Sequence, residues 1–424
     1  MSNEQTSLTL ENAQLQPADD LAKPRQMALI AAVVGLLATA GAWAVKGPDA
    51  LVGETDFFVS YLVGWIYWLG VAVGLFMICM LTNLSGGRWG IQMHKVQQEA
   101  GKSIWLFAIL GLPILFTDGM HALFPWSRPE AMEDLLVLEK GGYLKLWFAF
   151  EGPNHWIANY VPGFYPRYIL YFVLWLFFVH RISGLSKKFD ETGDPLVREK
   201  MQKWSAGGFL TFVMVATFAG IDWLMSTDPH WFSSLYGPQM LVWQGLTALC
   251  FSVPLMIFLS NRKPLDRLIR KTHFHDYGKL MLALTMVWGY FTVSQFLIIW
   301  SGNLPEEVIW YVYRNTEGWK QFTVAVVFFS FFVPFLILLQ QRLKFKPKVL
   351  MNVALFILVI RWFDYYWQVA PNLYGKQGLT LHLFNAFPFI GIGGLWIWLF
   401  LGRLPGRVLV PVEEPVIKEA LADG

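Results

Sequence analysis

Long apolar runs separated by short polar stretches set the pattern of this chain. Ten runs, at about 27–45, 57–84, 104–118, 166–180, 205–225, 239–259, 279–300, 321–340, 349–369 and 382–401, are apolar enough to cross a bilayer. A run of about 18 or more apolar residues reads as a transmembrane helix. The expected fold is therefore all-α and integral to a membrane, with ten transmembrane helices and both termini on one side. The first run follows Lys23 and Arg25 and contains Ala38-Thr39-Ala40, which resembles a signal cleavage site. Its length and the long polar leader before it favour a retained helix.

The stretch Ile221-Asp222-Trp223-Leu224-Met225-Ser226-Thr227-Asp228-Pro229-His230-Trp231 organises the pattern. One apolar run leads into it and another begins just after it, so it sits where a span meets water. Asp222 precedes the exit, and an ionisable group at that depth is costly and by default a functional candidate.

A weak repeat runs through the spans. Trp68-Leu69-Gly70 aligns with Trp243-Gln244-Gly245, and Phe116-Thr117 with Phe291-Thr292, both at an offset of 175. Phe363-Asp364-Tyr365 resembles Ile221-Asp222-Trp223, and each aspartate has a proline seven residues on, Pro371 and Pro229. Helices 2–5 and 6–9 are thus expected to form two four-helix bundles related in parallel, flanked by helices 1 and 10. The expected divisions are a disordered polar tail at 1–26 and helix 1 with its connection at 27–56. The first bundle follows at 57–235 with an outer loop at 125–166, then the second at 236–375, then helix 10 and a tail at 376–424.

Composition narrows the class. The chain is 55% hydrophobic and 15% charged, against about 25% charged in soluble domains. The net charge of +3 lies in connections and implies no nucleic-acid partner. Of 33 Lys and Arg, 24 fall on the side of the termini and 8 on the other, with Arg361 inside a span. Such a bias places both termini in the cytoplasm. The two cysteines, Cys79 and Cys250, both lie in apolar runs and offer neither a disulfide framework nor a cluster site.

The candidate chemistry collects in the outer half. Asp118 and His121 lie at the outer end of helix 3, Asp222 near that of helix 5, and Gln295 in the outer part of helix 7. Arg361 and Asp364 share one face of helix 9, with Arg361 roughly 18 Å into a core about 30 Å thick. Arg361 is expected to neutralise Asp364 or, across the bundle, Asp222. Asp118 and His121 fall opposite Val293 and Phe296 at the repeat offset, which favours proton exchange over packing as their role. Asp228 and His230 read as capping or surface residues, and His94, His155, His180, His273, His275 and His382 as solvated or structural. The inner half shows no chain of titratable residues, so a complete proton path there needs water or Ser, Thr and Tyr. No buried histidine pair for a membrane haem, dinucleotide fingerprint, zinc spacing or phosphate loop is present. Any redox cofactor must then belong to a partner.

Leu115-Phe116-Thr117-Asp118-Gly119-Met120-His121, the Asp222–Trp231 stretch and Gly289-Tyr290-Phe291-Thr292-Val293-Ser294-Gln295-Phe296 carry a resemblance over residues 27–402. They resemble the polysulfide-reductase-type (NrfD-like) membrane subunits, in particular the second such subunit of alternative complex III, a quinol:cytochrome c or oxidase oxidoreductase. The resemblance implies a bacterial inner-membrane respiratory complex. In it, haem c and iron–sulfur clusters sit on partner subunits beside a paralogous NrfD-like subunit, with a terminal oxidase as a further partner and lipids around. It implies no cofactor bound by this chain, a quinone as candidate ligand, and Asp118, His121, Asp222, Gln295, Arg361 and Asp364 as a proton path or quinone-like pocket. Proton conduction is the better-motivated of the two roles. The alternatives are a stand-alone secondary transporter, disfavoured by parallel repeats and the lack of paired broken spans, and a purely structural anchor.

The orientation has a direct check. A cysteine placed at Glu133 should react with an impermeant thiol reagent applied from outside, and one at Lys188 should not; the reverse labelling would invert the topology.

Overall fold

The computed structural model describes residues 13–14, 18–45, 53–86, 89–128, 163–375 and 378–422. The expected tail at 1–26 and loop at 125–166 lie largely outside these. Among the described residues, ten helices are long and apolar enough to cross a membrane, and they make an all-α membrane protein. They are α1 (Ala22–Ala44), α2 (Glu54–Ser85), α3 (His94–Phe116), α4 (Phe164–Thr192), α5 (Pro195–Thr227), α6 (Tyr236–Leu259), α7 (Lys271–Gly302), α8 (Trp319–Leu339), α9 (Pro347–Tyr374) and α10 (Leu383–Arg403).

Helix α2 is buried along nearly its whole length and packs against α3, α5, α6, α9 and α10. Its closest neighbour is α6, which a side chain at Gly74 would push away, because a Cβ there would collide with the Gln244 carbonyl. Helices α4 and α5 complete one side of this seam, and α7, α8 and α9 the other. Helix α1 stands outside both and packs on α10, where Gly35 and Gly391 bring the two backbones together. Small residues permit such approach where lipid supplies no hydrophobic drive.

Several elements exceed their expected bounds. Helices α4 and α5 were expected to be joined by a loop at 181–204, but the connection shrinks to Gly193-Asp194. Gly193 takes the left-handed conformation (φ 60°) after α4, and Asp194 caps α5 by accepting from Leu196 N at 2.8 Å, with Pro195 at the first helical position. This is the usual glycine-out, proline-in punctuation. The 29-residue helix Phe164–Thr192 extends about 44 Å at 1.5 Å per residue, longer than a core of about 30 Å.

Helix α3 departs further from expectation. It starts at His94, not 104, and its first segment, His94–Gly101, is polar yet buried throughout. Hydropathy misses it because its side chains face other helices: Gln97 Nε2 donates to Tyr277 OH at 3.1 Å, and Lys95 pairs with Asp190 at 2.5 Å. Farther on, Gly111 and Pro113 break the helix. Side-chain donors reach the carbonyls around the break: Trp65 Nε1 to Phe107 O (2.8 Å), Tyr168 OH to Ala108 O (2.8 Å) and Tyr61 OH to Leu110 O (2.7 Å). Such substitutes are what allow irregular backbone at membrane depth. Helix α7, expected to be the repeat counterpart of α3, is continuous from Lys271 to Gly302.

Among the described residues, the segments before α1 and after α10 meet, where Gln14 bridges Val408 and Leu409 N donates to Ala13 O at 3.0 Å. Gly391→Leu should wedge α1 from α10 at a cost of about 1–3 kcal/mol, read as a lower unfolding temperature in detergent. An unchanged temperature would mean that α1 contributes nothing to the fold.

Candidate functional site

The Asp222–Trp231 segment is pinned at every polar residue but one. Arg167 on α4 reaches Asp222 with two parallel bonds, Nε to Oδ2 at 2.8 Å and Nη2 to Oδ1 at 3.0 Å, and Tyr171 OH donates to Oδ2 at 2.7 Å. All of this is buried, with Asp222 at 0% exposure. Arg167 and Tyr171 are four residues apart and so share a helical face. The next residue, Trp223, lies 4.8 Å from the ring of Trp65.

Beyond the helix, Asn372 Nδ2 on α9 donates to Thr227 Oγ1 at 2.8 Å. Asn372 Oδ1 in turn accepts from Arg314 Nη2 at 2.8 Å, and Arg314 also donates to the carbonyls of Gln368 and Trp310. Trp231 stacks on Trp310 at 4.8 Å. Asp228, expected as a capping or surface residue, is buried, and its Oδ1 accepts from His230 N at 3.2 Å, a local backbone contact of the capping kind. Burial pushes the Asp228 carboxyl up from its ordinary value, against the pull of His230 N–H and the Arg314 charge. Burial also lowers the Arg314 guanidinium to about 9, with Asp228 opposing, so it remains charged at neutral pH. His230 is exposed.

A second ion pair lies on α9. Arg361 Nη1 stands 2.8 Å from Asp364 Oδ2, both residues are 1% exposed, and Trp288 Nε1 on α7 donates to the same oxygen at 3.2 Å. Arg361 therefore pairs with Asp364; the Asp222 carboxylate, its other expected partner, is held by Arg167. The resemblance between the two aspartate segments is one of sequence. Helix α5 ends its α-turns at Trp223, whereas α9 continues through Pro371 to Tyr374.

The pairs also differ in what is left over. Both oxygens of Asp222 are bonded. Around the second pair, Asp364 Oδ1, Arg361 Nη2, Tyr365 OH, Gln244 Oε1 and Trp243 Nε1 are buried and have no hydrogen-bond partner among the described residues. These atoms sit on α6 and α9. Further along α6 toward the termini, Thr247, Cys250 and Ser252 are buried, followed by Gln97, Tyr277 and the Gln92–His273 contact at 2.5 Å. Buried Ser, Thr and Tyr side chains thus occur on α6 and α7 in the inner half.

The remaining expected residues lie apart from both pairs. Gln295 accepts from Ser233 Oγ at 2.5 Å, tying α7 to the connection before α6. Asp118 and His121 fall beyond a backbone break at Thr117, in the short helix Gly119–Leu123 and its cap, and both are exposed. His121 Nδ1 lies 3.0 Å from Ser127 Oγ. Sequence reading missed Arg167, Lys95 and Arg314, counted only among the connection charges, and did not single out Tyr171 or Asp190; the four-residue spacing of Arg167 and Tyr171 at a span boundary was the one signal available. His94 is likewise buried inside α3.

Among the described residues, no group of His, Cys, Asp or Glu could hold a metal ion. No protein-family model matches this chain, and no curated protein matches it.

The buried pair gives a stability test. Arg167→Leu leaves Asp222 without its counter-ion and should cost about 3–5 kcal/mol, the usual penalty for breaking a buried pair. Arg167→Leu combined with Asp222→Leu should recover part of that loss in thermal unfolding; equal loss in single and double variants would assign the effect to packing of the arginine stem.

Proposed function

We propose that this chain is the cofactor-free membrane subunit of a respiratory quinol:cytochrome c or oxidase oxidoreductase of the alternative complex III type, and that its task is to handle protons. Its setting would be a bacterial inner membrane with both termini in the cytoplasm, beside haem-c, iron–sulfur and paralogous NrfD-like subunits and a terminal oxidase. The reading rests on the resemblance of the Asp118–His121, Asp222–Trp231 and Gly289–Phe296 stretches and on the strong charge bias of the connections.

The observation that carries the proton role is the set of buried, unbonded polar atoms around Arg361–Asp364. Buried polar groups left without protein partners are where ordered water is held. A carboxylate beside such water can take up and release a proton, while the guanidinium keeps its charged form within reach. Toward the termini, Thr247, Ser252, Tyr277 and Gln97 supply groups that both donate and accept. Gln244 and Ser252 are two turns apart, about 12 Å along α6, a gap that water must bridge. Asp222 is the poorer relay, since Arg167 and Tyr171 occupy both its oxygens. Asp118 and His121, exposed at the far end, would exchange protons with the outside.

In the assembled complex reconstituted into vesicles, Asp364→Asn should leave the subunits associated and lower proton-coupled turnover by about 10²-fold, the scale of a positioned proton-transfer group. Asp118→Asn and His121→Phe should lower it less and also spare assembly. Wild-type proton stoichiometry in the Asp364 variant would remove the path from this bundle. Isolation of the chain alone, active without haem-c and iron–sulfur partners, would instead favour a transporter.

A further inference from the structure

Arg314 lies in the connection between α7 and α8, yet it is 2% exposed and packs against α9. Its Nη2 donates to Gln368 O and to Asn372 Oδ1, both at 2.8 Å, and its Nη1 to Trp310 O at 2.8 Å. Asp364, Gln368 and Asn372 follow one another at four-residue spacing and so share one face of α9. Gln368 is about 6 Å and Asn372 about 12 Å along the helix from Asp364. The guanidinium therefore stands one to two turns beyond the Asp364 carboxylate, toward the outer end of the same face.

Its surroundings leave that charge little screened. The guanidinium lies over the Trp310 ring at 3.2 Å and 5.1 Å from the Trp367 ring, and Trp231 stacks on Trp310 at 4.8 Å. All three indoles are 4% exposed or less. The hydrogen bonds of Nη1 and Nη2 go to neutral oxygens, and Nε is buried without a hydrogen-bond partner among the described residues. The groups whose charge acts on Arg314 are Asp228, Tyr236 and Tyr311. Tyrosines are neutral at physiological pH, and burial biases the Asp228 carboxyl toward its neutral form.

The Asp364 carboxylate thus has a guanidinium on each side along α9. Arg361, three residues toward the inner end, pairs with it at 2.8 Å. Arg314, toward the outer end, binds the helix beyond it. Arg361 neutralises the carboxylate, whereas Arg314 stands across the way outward. A proton in transit is an excess positive charge, and in low-dielectric surroundings a fixed cation repels it far more strongly than in water. An arginine beside a conduction route is one device by which channels exclude protons and other cations.

We propose that Arg314 is an electrostatic barrier that stops protons held at Asp364 from leaking along α9 to the outer end of the bundle. The inference rests on the proton-handling role of Asp364. It leaves exchange with the outside to the side of the bundle where Asp118 and His121 are exposed.

The test uses the assembled complex in vesicles without quinol, with a pH-sensitive dye enclosed and a potassium diffusion potential applied through valinomycin. Passive proton entry should be at least about tenfold faster with Arg314→Gln than with the wild type, as expected when one charge is removed from a low-dielectric route. Arg314→Lys keeps the charge and should stay as tight as the wild type. Asn372→Asp sets a carboxylate on the guanidinium and keeps the oxygen that it binds, so it should leak as Arg314→Gln does. Combining either leaking variant with Asp364→Asn should close the leak, because the proton passes through Asp364; a leak from loosened packing would persist. Wild-type tightness in either Arg314→Gln or Asn372→Asp, once assembled, would overturn the barrier. So would a leak that survives Asp364→Asn or one that Arg314→Lys shares. If Arg314→Gln does not assemble, Asn372→Asp decides by the same criteria. Failure of the underlying reading has its own sign: Asp364→Asn alone would then keep the wild-type proton stoichiometry during turnover, and the barrier would fall with it.

Discussion

A charge inside an apolar bundle has to bring its own solvation, and that requirement shapes this molecule. Arg167 with Asp222, Arg361 with Asp364 and Lys95 with Asp190 each put a cation and a carboxylate in contact at 8% exposure or less. Losing one partner of such a pair strands the other at a cost that is a large fraction of the stability of many domains. Two of the three pairs join different helices, α4 to α5 and α3 to α4, so they also fix which helices may be neighbours. Arg314 has a different solution: it spends its donors on the Trp310 and Gln368 carbonyls and Asn372 and lies over the Trp310 ring.

The Asp222–Trp231 segment owes its central place to this economy of partners. In ten residues it engages α4 through Asp222, α9 through Thr227, and the connection between α7 and α8 through Trp231. It thereby joins the two sides of the α2–α6 seam at one end. At the other end the joint is made by the polar first segment of α3, where Gln97 meets Tyr277 and Ser252. Between these layers the seam is apolar and close, as Gly74 against Gln244 requires.

The contrast between Asp222 and Asp364 separates structural from chemical reading. A carboxylate with both oxygens bonded has little freedom to change protonation without breaking something. One with an unbonded oxygen among other unbonded polar atoms can exchange a proton through water. Both look alike in sequence, each an aspartate between large apolar residues with a proline seven positions on.

The sequence by itself determined the membrane class, the ten helices and the existence of deep charges, because hydrocarbon thickness and the cost of charge in it act on composition alone. It located Asp222, Arg361 and Asp364 for the same reason, and Arg361 with Asp364 as one pair because three residues' spacing is local. Partnership between helices was decided only by tertiary structure. Arg167 read as a connection charge and Tyr171 as one more residue of a span until α4 turns them onto α5. The polar run His94–Gly101 read as a loop until packing against other helices buried it. Asp118 and His121 read as part of α3 until the backbone turned at Thr117 and left them exposed. In each case hydropathy reports the tendency of a residue toward lipid or water, while a third environment, the polar interior between helices, exists only once the helices have packed.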